Sequence, residues 1–125
     1  MARIQSFKEL RVWQEAMDLA MSIFERTKTF PKDERFSLID QFRRSSRSVP
    51  SNISEAWHKR RYPAAFIAKL SDAEGEAAET QTWVEVSLRC RYIPAEVAVD
   101  WDNRSTAIIR QLIKMASRPQ DWVIH

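Results

Sequence analysis

The sequence predicts an all-α fold, an antiparallel up-down-up-down four-helix bundle over residues 7–118 with short tails at 1–6 and 119–125. Three observations carry that reading. The 125 residues include one glycine, too few for the tight turns of a sheet protein. Apolar residues recur at steps of three and four in four separate stretches, the mark of helices packed on helices. Pro31, Pro63 and Pro94 fall between those stretches, where a helix must stop or can start. The length suits one domain with its own core.

The first segment, 7–28, carries Leu10, Trp13, Met17, Ala20 and Phe24 as its expected seam. It ends at "TFPKDER", where Pro31 disfavours a helical Phe30 and Asp33 is placed to cap the next helix. The second segment carries Ile39, Phe42, Ser46, Val49, Ile53 and Ala56. Its period passes through Pro50 without a change of phase. A loop would reset that phase, so one long helix bent at Pro50 is expected, although proline there costs about 3 kcal/mol. The hydroxyls of Ser46, Ser48 and Ser51 are near the carbonyls that proline leaves free. The alternative is two shorter helices, the second beginning near Ser48 with proline in its first turn.

The third segment shows Phe66, Leu70, Ala73, Ala77, Thr80 and Val84, and extends towards Tyr92. Its small residues imply close approach of a bulkier neighbour. The fourth shows Ala98, Trp101, Ser105, Ile108, Leu112 and Met115, after which Trp122 in the tail is expected to dock back.

Twenty Lys and Arg against seventeen Asp and Glu make the chain only mildly basic, which does not by itself identify a nucleic-acid binder. Cys90 is the single cysteine, so no intramolecular disulfide is possible; it reads as a small core or interface residue. "MARIQSFKEL" has no apolar leader core, and nowhere do eighteen apolar residues run together, so a cytoplasmic protein with no membrane partner is expected. His58 and His125 are far apart. Asp72 and Glu76 lack the Glu-x-x-His pairs of a carboxylate di-metal bundle, and no glycine-rich phosphate loop is present. No catalytic residue, metal ligand, cofactor or small-molecule substrate is predicted.

The charge is nonetheless clustered. Arg43, Arg44, Arg47, Lys59, Arg60 and Arg61 face a single acid, Glu55, between residues 43 and 61. Trp57 and Tyr62 interleave aromatic faces with the second group. Guanidinium pairs well with phosphate and aromatics stack on unpaired bases, so these six are the candidate nucleic-acid-binding residues, with RNA as ligand. A competing reading comes from the third segment, which has five acids and no Lys or Arg from Ser71 to Leu88. Asp72, Glu76 and Glu79 share one flank there and can pair with the arginines, within a subunit or between subunits. For Arg43, Arg44 and Arg47 that pairing is the preferred reading. Trp13 and Trp101 belong to the core, whereas Trp57, Gly75 and Trp83 are the candidate oligomer-interface residues.

"FKELRVWQEAM", "FPKDERFSLIDQFRRSSRSVPSNISEA" and "FIAKLSDAEGEAAETQTWVEVSLRCRYI" resemble the four-helix-bundle family of 23S rRNA intervening-sequence proteins, from about Phe7 to Ile93. That family includes the accessory variability protein of diversity-generating retroelements. The most specific residues are Leu10, Val12 and Trp13, then Phe30, Pro31 and Glu34. Gln41, Arg43, Arg44, Ser48, Pro50, Asn52, Ile53 and Glu55 follow. The chain departs from the family pattern at Ala56 and Trp57, where glycine is usual after "SNISE", and in the linker "KRRYPAA". The resemblance implies a bacterial homopentamer with a central channel and no catalytic activity. It also implies, for the retroelement relatives, binding of a reverse transcriptase and nucleic acid through basic surfaces. The expected function is therefore that of a non-enzymatic oligomeric accessory protein contacting RNA or a nucleoprotein. The alternative is a scaffold oligomer with protein partners only, whose charges serve self-assembly.

Overall fold

Prolines and caps divide the chain into four helices: α1 (Arg11–Thr27), α2 (Leu38–His58), α3 (Pro63–Arg89) and α4 (Ala95–Ser117). The computed structural model describes residues 3–122, and among these there are no strands. His125, with residues 1, 2, 123 and 124, lies outside them. Short 3-10 turns precede α1 (Phe7–Glu9) and α2 (Lys32–Glu34) and follow α4 (Pro119–Asp121). The first is closed by a capping box. Ser6 accepts from the turn's backbone, and the Glu9 carboxylate accepts from the Ser6 N–H. Asp33 does not cap α2. It lies inside the second 3-10 turn, and the helix begins only at Leu38, where the nearest carboxylate is that of Glu34.

The expected stripes of α2, α3 and α4 are buried at every named position. α2 continues unbroken through a buried Pro50, which removes the two-helix alternative. The Ser46 and Ser48 hydroxyls donate to the carbonyls of Arg43 and Arg44. They thus tighten the turn before the proline instead of reaching the carbonyl of Ser46 that it strands. α1 differs from expectation by one residue. Its buried face is Val12, Ala16, Leu19, Ala20, Ile23 and Thr27, while Trp13, Met17 and Phe24 are half-buried on its flank. The apolar stripe of α1 is wide enough to bury around either line, and the neighbouring helices select one.

Cross-contacts give the relative direction of the helices. Arg44 meets Glu76, whereas Glu55, further along α2, meets Lys69, earlier in α3. Glu15 of α1 meets Gln111 of α4, and Ser22 meets Arg104. In both pairs residue numbers rise on one helix as they fall on the other. At mid-height a polar layer crosses the core, where Thr80 donates to Ser45 at 2.9 Å. Ser105 adds a hydroxyl there that is buried without a partner among the described residues. Trp122 packs against the core as expected.

The loop end of the bundle is tied by aromatic and turn chemistry. α3 stops when Arg91 adopts φ 64°, a left-handed conformation usually left to glycine. The Tyr92 N–H then returns to the Ser87 carbonyl and the Arg91 N–H to that of Leu88. This swings Tyr92 onto Phe30, centroids 5.1 Å apart, with its hydroxyl donating to Glu34 Oε2 at 2.9 Å. That hydrogen bond, helped by partial burial, pushes the Tyr92 phenol up to about 12 from its ordinary 10.0. Its contribution to stability is complete below pH 10, where the phenol is protonated in both states. It declines as pH rises and is gone above about 12. Tyr92→Phe should therefore be less stable than the parent at pH 8, and the gap should close between pH 10 and 12 in urea titrations.

Candidate nucleic-acid interface

The six basic candidates do not form one site. Arg43, Arg44 and Arg47 occupy the middle of α2, and Lys59, Arg60 and Arg61 follow its C-terminus, about 24 Å further along the axis from Arg43 to Lys59. Each residue has its own surroundings.

Arg43 is half-buried rather than on the solvent side. Its Nε donates to Thr27 Oγ1 at 2.9 Å and its Nη2 to the Phe24 carbonyl at 3.4 Å, so it ties α2 to the last turn of α1. Arg44 reaches the other way, to Glu76 at 3.1 Å and to Glu79. The hydrogen bond it donates to Glu76, and the two carboxylate charges, raise its pKa further. The pairing expected between the arginines and the acidic flank of α3 is thus formed within the chain by Arg44. Lys69 extends the same seam, contacting Glu55 at 2.7 Å and Asp72 at 3.8 Å. Arg47 is exposed and has no carboxylate within ion-pair distance among the described residues.

Arg47 and Arg43 share the half-buried ring of Phe24, at 5.4 and 4.7 Å from its centroid, and Lys28 lies 4.7 Å from it. Three cations therefore gather around one aromatic ring, whose quadrupole offsets part of their repulsion. Arg43 and Arg47 also line a shallow groove of about 520 Å³, together with Arg35, Arg44, Ser48 and Ser51. Asp40 is the one acid on its wall.

The second basic group is less available. Arg60 is half-buried, its guanidinium 3.4 Å from the centre of the Trp57 ring and its Nε donating to the Trp57 carbonyl at 2.7 Å. Desolvation lowers its pKa. Trp57 itself is only 5 % exposed and belongs to the core, which corrects its assignment to a subunit contact. Arg60 folds back over its ring, which leaves little of it for a partner. Lys59 and Arg61 are exposed. Of the other interface candidates, Trp83 is half-buried with its Nε1–H on Glu79, and Gly75 is exposed with open space where a Cβ would be. Cys90 is exposed, not in the core.

A family model described as the 23S rRNA-intervening sequence protein matches residues 8–114. The chain belongs to this family. It is also similar to a crystal structure of a protein with unknown function from the S23 ribosomal protein family of Bacteroides thetaiotaomicron. The two are 33 % identical, with a TM-score of 0.76 over 85 % of this chain and 95 % of that one. Among curated proteins there is no match.

The family and this neighbour carry no enzymatic description. No group of three or more His, Cys, Asp or Glu side chains among the described residues is placed to hold a metal ion, and no described helix is long and apolar enough to cross a membrane. For this intervening-sequence protein, then, the residues with chemistry to offer are guanidinium groups on a helix surface. Arg35, which completes the groove, was missed in the sequence because it precedes α2 and lies outside the cluster. Its only signal was the "RF" dipeptide before the helix.

Proposed function

We propose that this chain is a non-enzymatic, homo-oligomeric accessory protein of the bacterial cytoplasm, pentameric as the family resemblance implies. It contacts RNA, or a nucleic-acid enzyme carrying RNA, through the arginine groove of α2. The observation that supports this most is that Arg35, Arg43 and Arg47 line one groove without a carboxylate partner in ion-pair distance among the described residues. A solvated helix face would intersperse acids, whereas Asp40 is the one acid among four arginines on this groove. Guanidinium groups without carboxylate partners suit the charge and hydrogen-bonding geometry of phosphates.

Size-exclusion chromatography with light scattering, read at 260 and 280 nm, tests this at low and high salt. An oligomer that carries nucleic acid at low salt and sheds it at high salt is the expected result. An oligomer free of nucleic acid under both conditions, and unable to bind added RNA, would refute the groove assignment.

The scaffold reading has its own support on α3. Ala64, Ala68, Ser71, Gly75, Ala78 and Thr82 leave its outer face exposed and nearly without side chains. Such a surface allows close approach of another helix. The two surfaces lie on different helices, and one protein can use α3 for assembly and α2 for RNA.

A further inference from the structure

Phe36 is 87 % exposed, the largest exposure among the large apolar side chains of the described residues. It lies in the turn between the second 3-10 segment and α2 and makes no core contact. An aromatic ring held in water has unfavourable hydration that folding leaves in place. Its one described neighbour of note is Arg35, whose guanidinium is 5.7 Å from the ring centre. Arg35 also lines the groove, together with Arg43 and Arg47. A protruding ring thus adjoins Arg35, one of three groove arginines with no carboxylate in ion-pair distance among the described residues.

We infer that the ligand of the groove is single-stranded nucleic acid, with one unpaired base stacked on Phe36 and the adjoining phosphates on Arg35 and Arg47. This rests on the groove reading above and narrows it. A base pair in a duplex has both faces covered by its neighbours and offers nothing to a ring, whereas an unpaired base presents a free π-face. Charge alone would serve a duplex equally well; the exposed aromatic next to the charge favours the single strand. The positive groove also argues against a second copy of this chain as the main occupant. That copy would have to bring free acids, and on α3 Glu76 and Glu79 are already held by Arg44 while Asp72 lies 3.8 Å from Lys69.

The test is fluorescence anisotropy at low salt with a labelled 12-nucleotide single-stranded RNA and with the same sequence annealed into a duplex. The whole chain is used, as parent, Phe36→Ala and Phe36→Trp. Because Phe36 is exposed, both variants should fold and keep the parent's oligomer mass. Phe36→Ala should weaken single-strand binding about tenfold and leave duplex binding unchanged, and Phe36→Trp should restore it. Equal loss for both ligands, no loss for either, or a parent that prefers the duplex would overturn the stacking inference while leaving RNA binding by the groove intact. A changed oligomer mass in Phe36→Ala would assign the ring to a subunit contact and overturn it too. Absence of any RNA binding by the parent would bring down both readings.

Discussion

Phe42→Ala is expected to lower the unfolding free energy by about 3–5 kcal/mol, a third or more of what a domain of this size typically has. Phe42 has no solvent exposure. Its ring meets Trp101 of α4 edge-on at 5.6 Å and Phe30 of the α1–α2 loop at 6.5 Å, so one side chain links three parts of the fold. Truncation opens a cavity between ring faces that cannot move together, because each is fixed by its own helix or turn. The urea midpoint should fall with little change in slope. Trp13→Ala is the matched comparison. Trp13 is larger, but it is half-buried on the flank of α1, packed against Phe7 at 5.4 Å. It should cost clearly less than Phe42→Ala. Equal losses would show that the one-residue shift of the buried face of α1 is mistaken.

The second large effect concerns charge. Joint replacement of Arg35 and Arg47 by Glu should reduce RNA affinity at low salt by well over tenfold, with the oligomer mass unchanged. Both side chains lie on the groove, and neither has a carboxylate within ion-pair distance among the described residues, so neither holds the fold together. The salt dependence gives a sharper reading than affinity alone. Each phosphate contact on a single strand contributes about 0.7 to the slope of log K against log salt, so losing two should flatten it by about 1.4. Arg44→Gln is the control. Its guanidinium is already occupied by Glu76 and Glu79 on a partly exposed surface, a pair whose loss costs roughly 0–1 kcal/mol. It should leave RNA affinity nearly unchanged. If Arg44→Gln abolishes binding and the double charge reversal does not, the ligand lies on the α3 side of α2.

Arg60 illustrates why the cluster could not be read as one unit from the sequence. Six basic residues within nineteen positions look alike in a charge plot. In the fold, Arg43 serves the C-terminal carbonyls of α1, Arg44 the acids of α3 and Arg60 the ring of Trp57. Arg47 and Arg61 remain exposed. Phe36 misleads in the opposite sense. It stands three residues before Ile39, in phase with the seam of α2, yet the helix begins at Leu38 and leaves the ring outside the periodic surface.

The sequence by itself determined the number of helices, their limits near Pro31, Pro63 and Pro94, and the buried faces of α2, α3 and α4. It also favoured one helix through Pro50 over two, because the apolar period crosses it in phase, and α2 runs unbroken there. These are properties of short stretches, in which side chains three and four apart must share a face. Only the tertiary structure decided which line of α1 is buried, that Trp57 is covered, and which arginines are free. A partner for a charge, or a lid for a ring, comes from residues such as Glu76 or Phe24 that are distant in the chain. The local period carries no information about where those residues arrive.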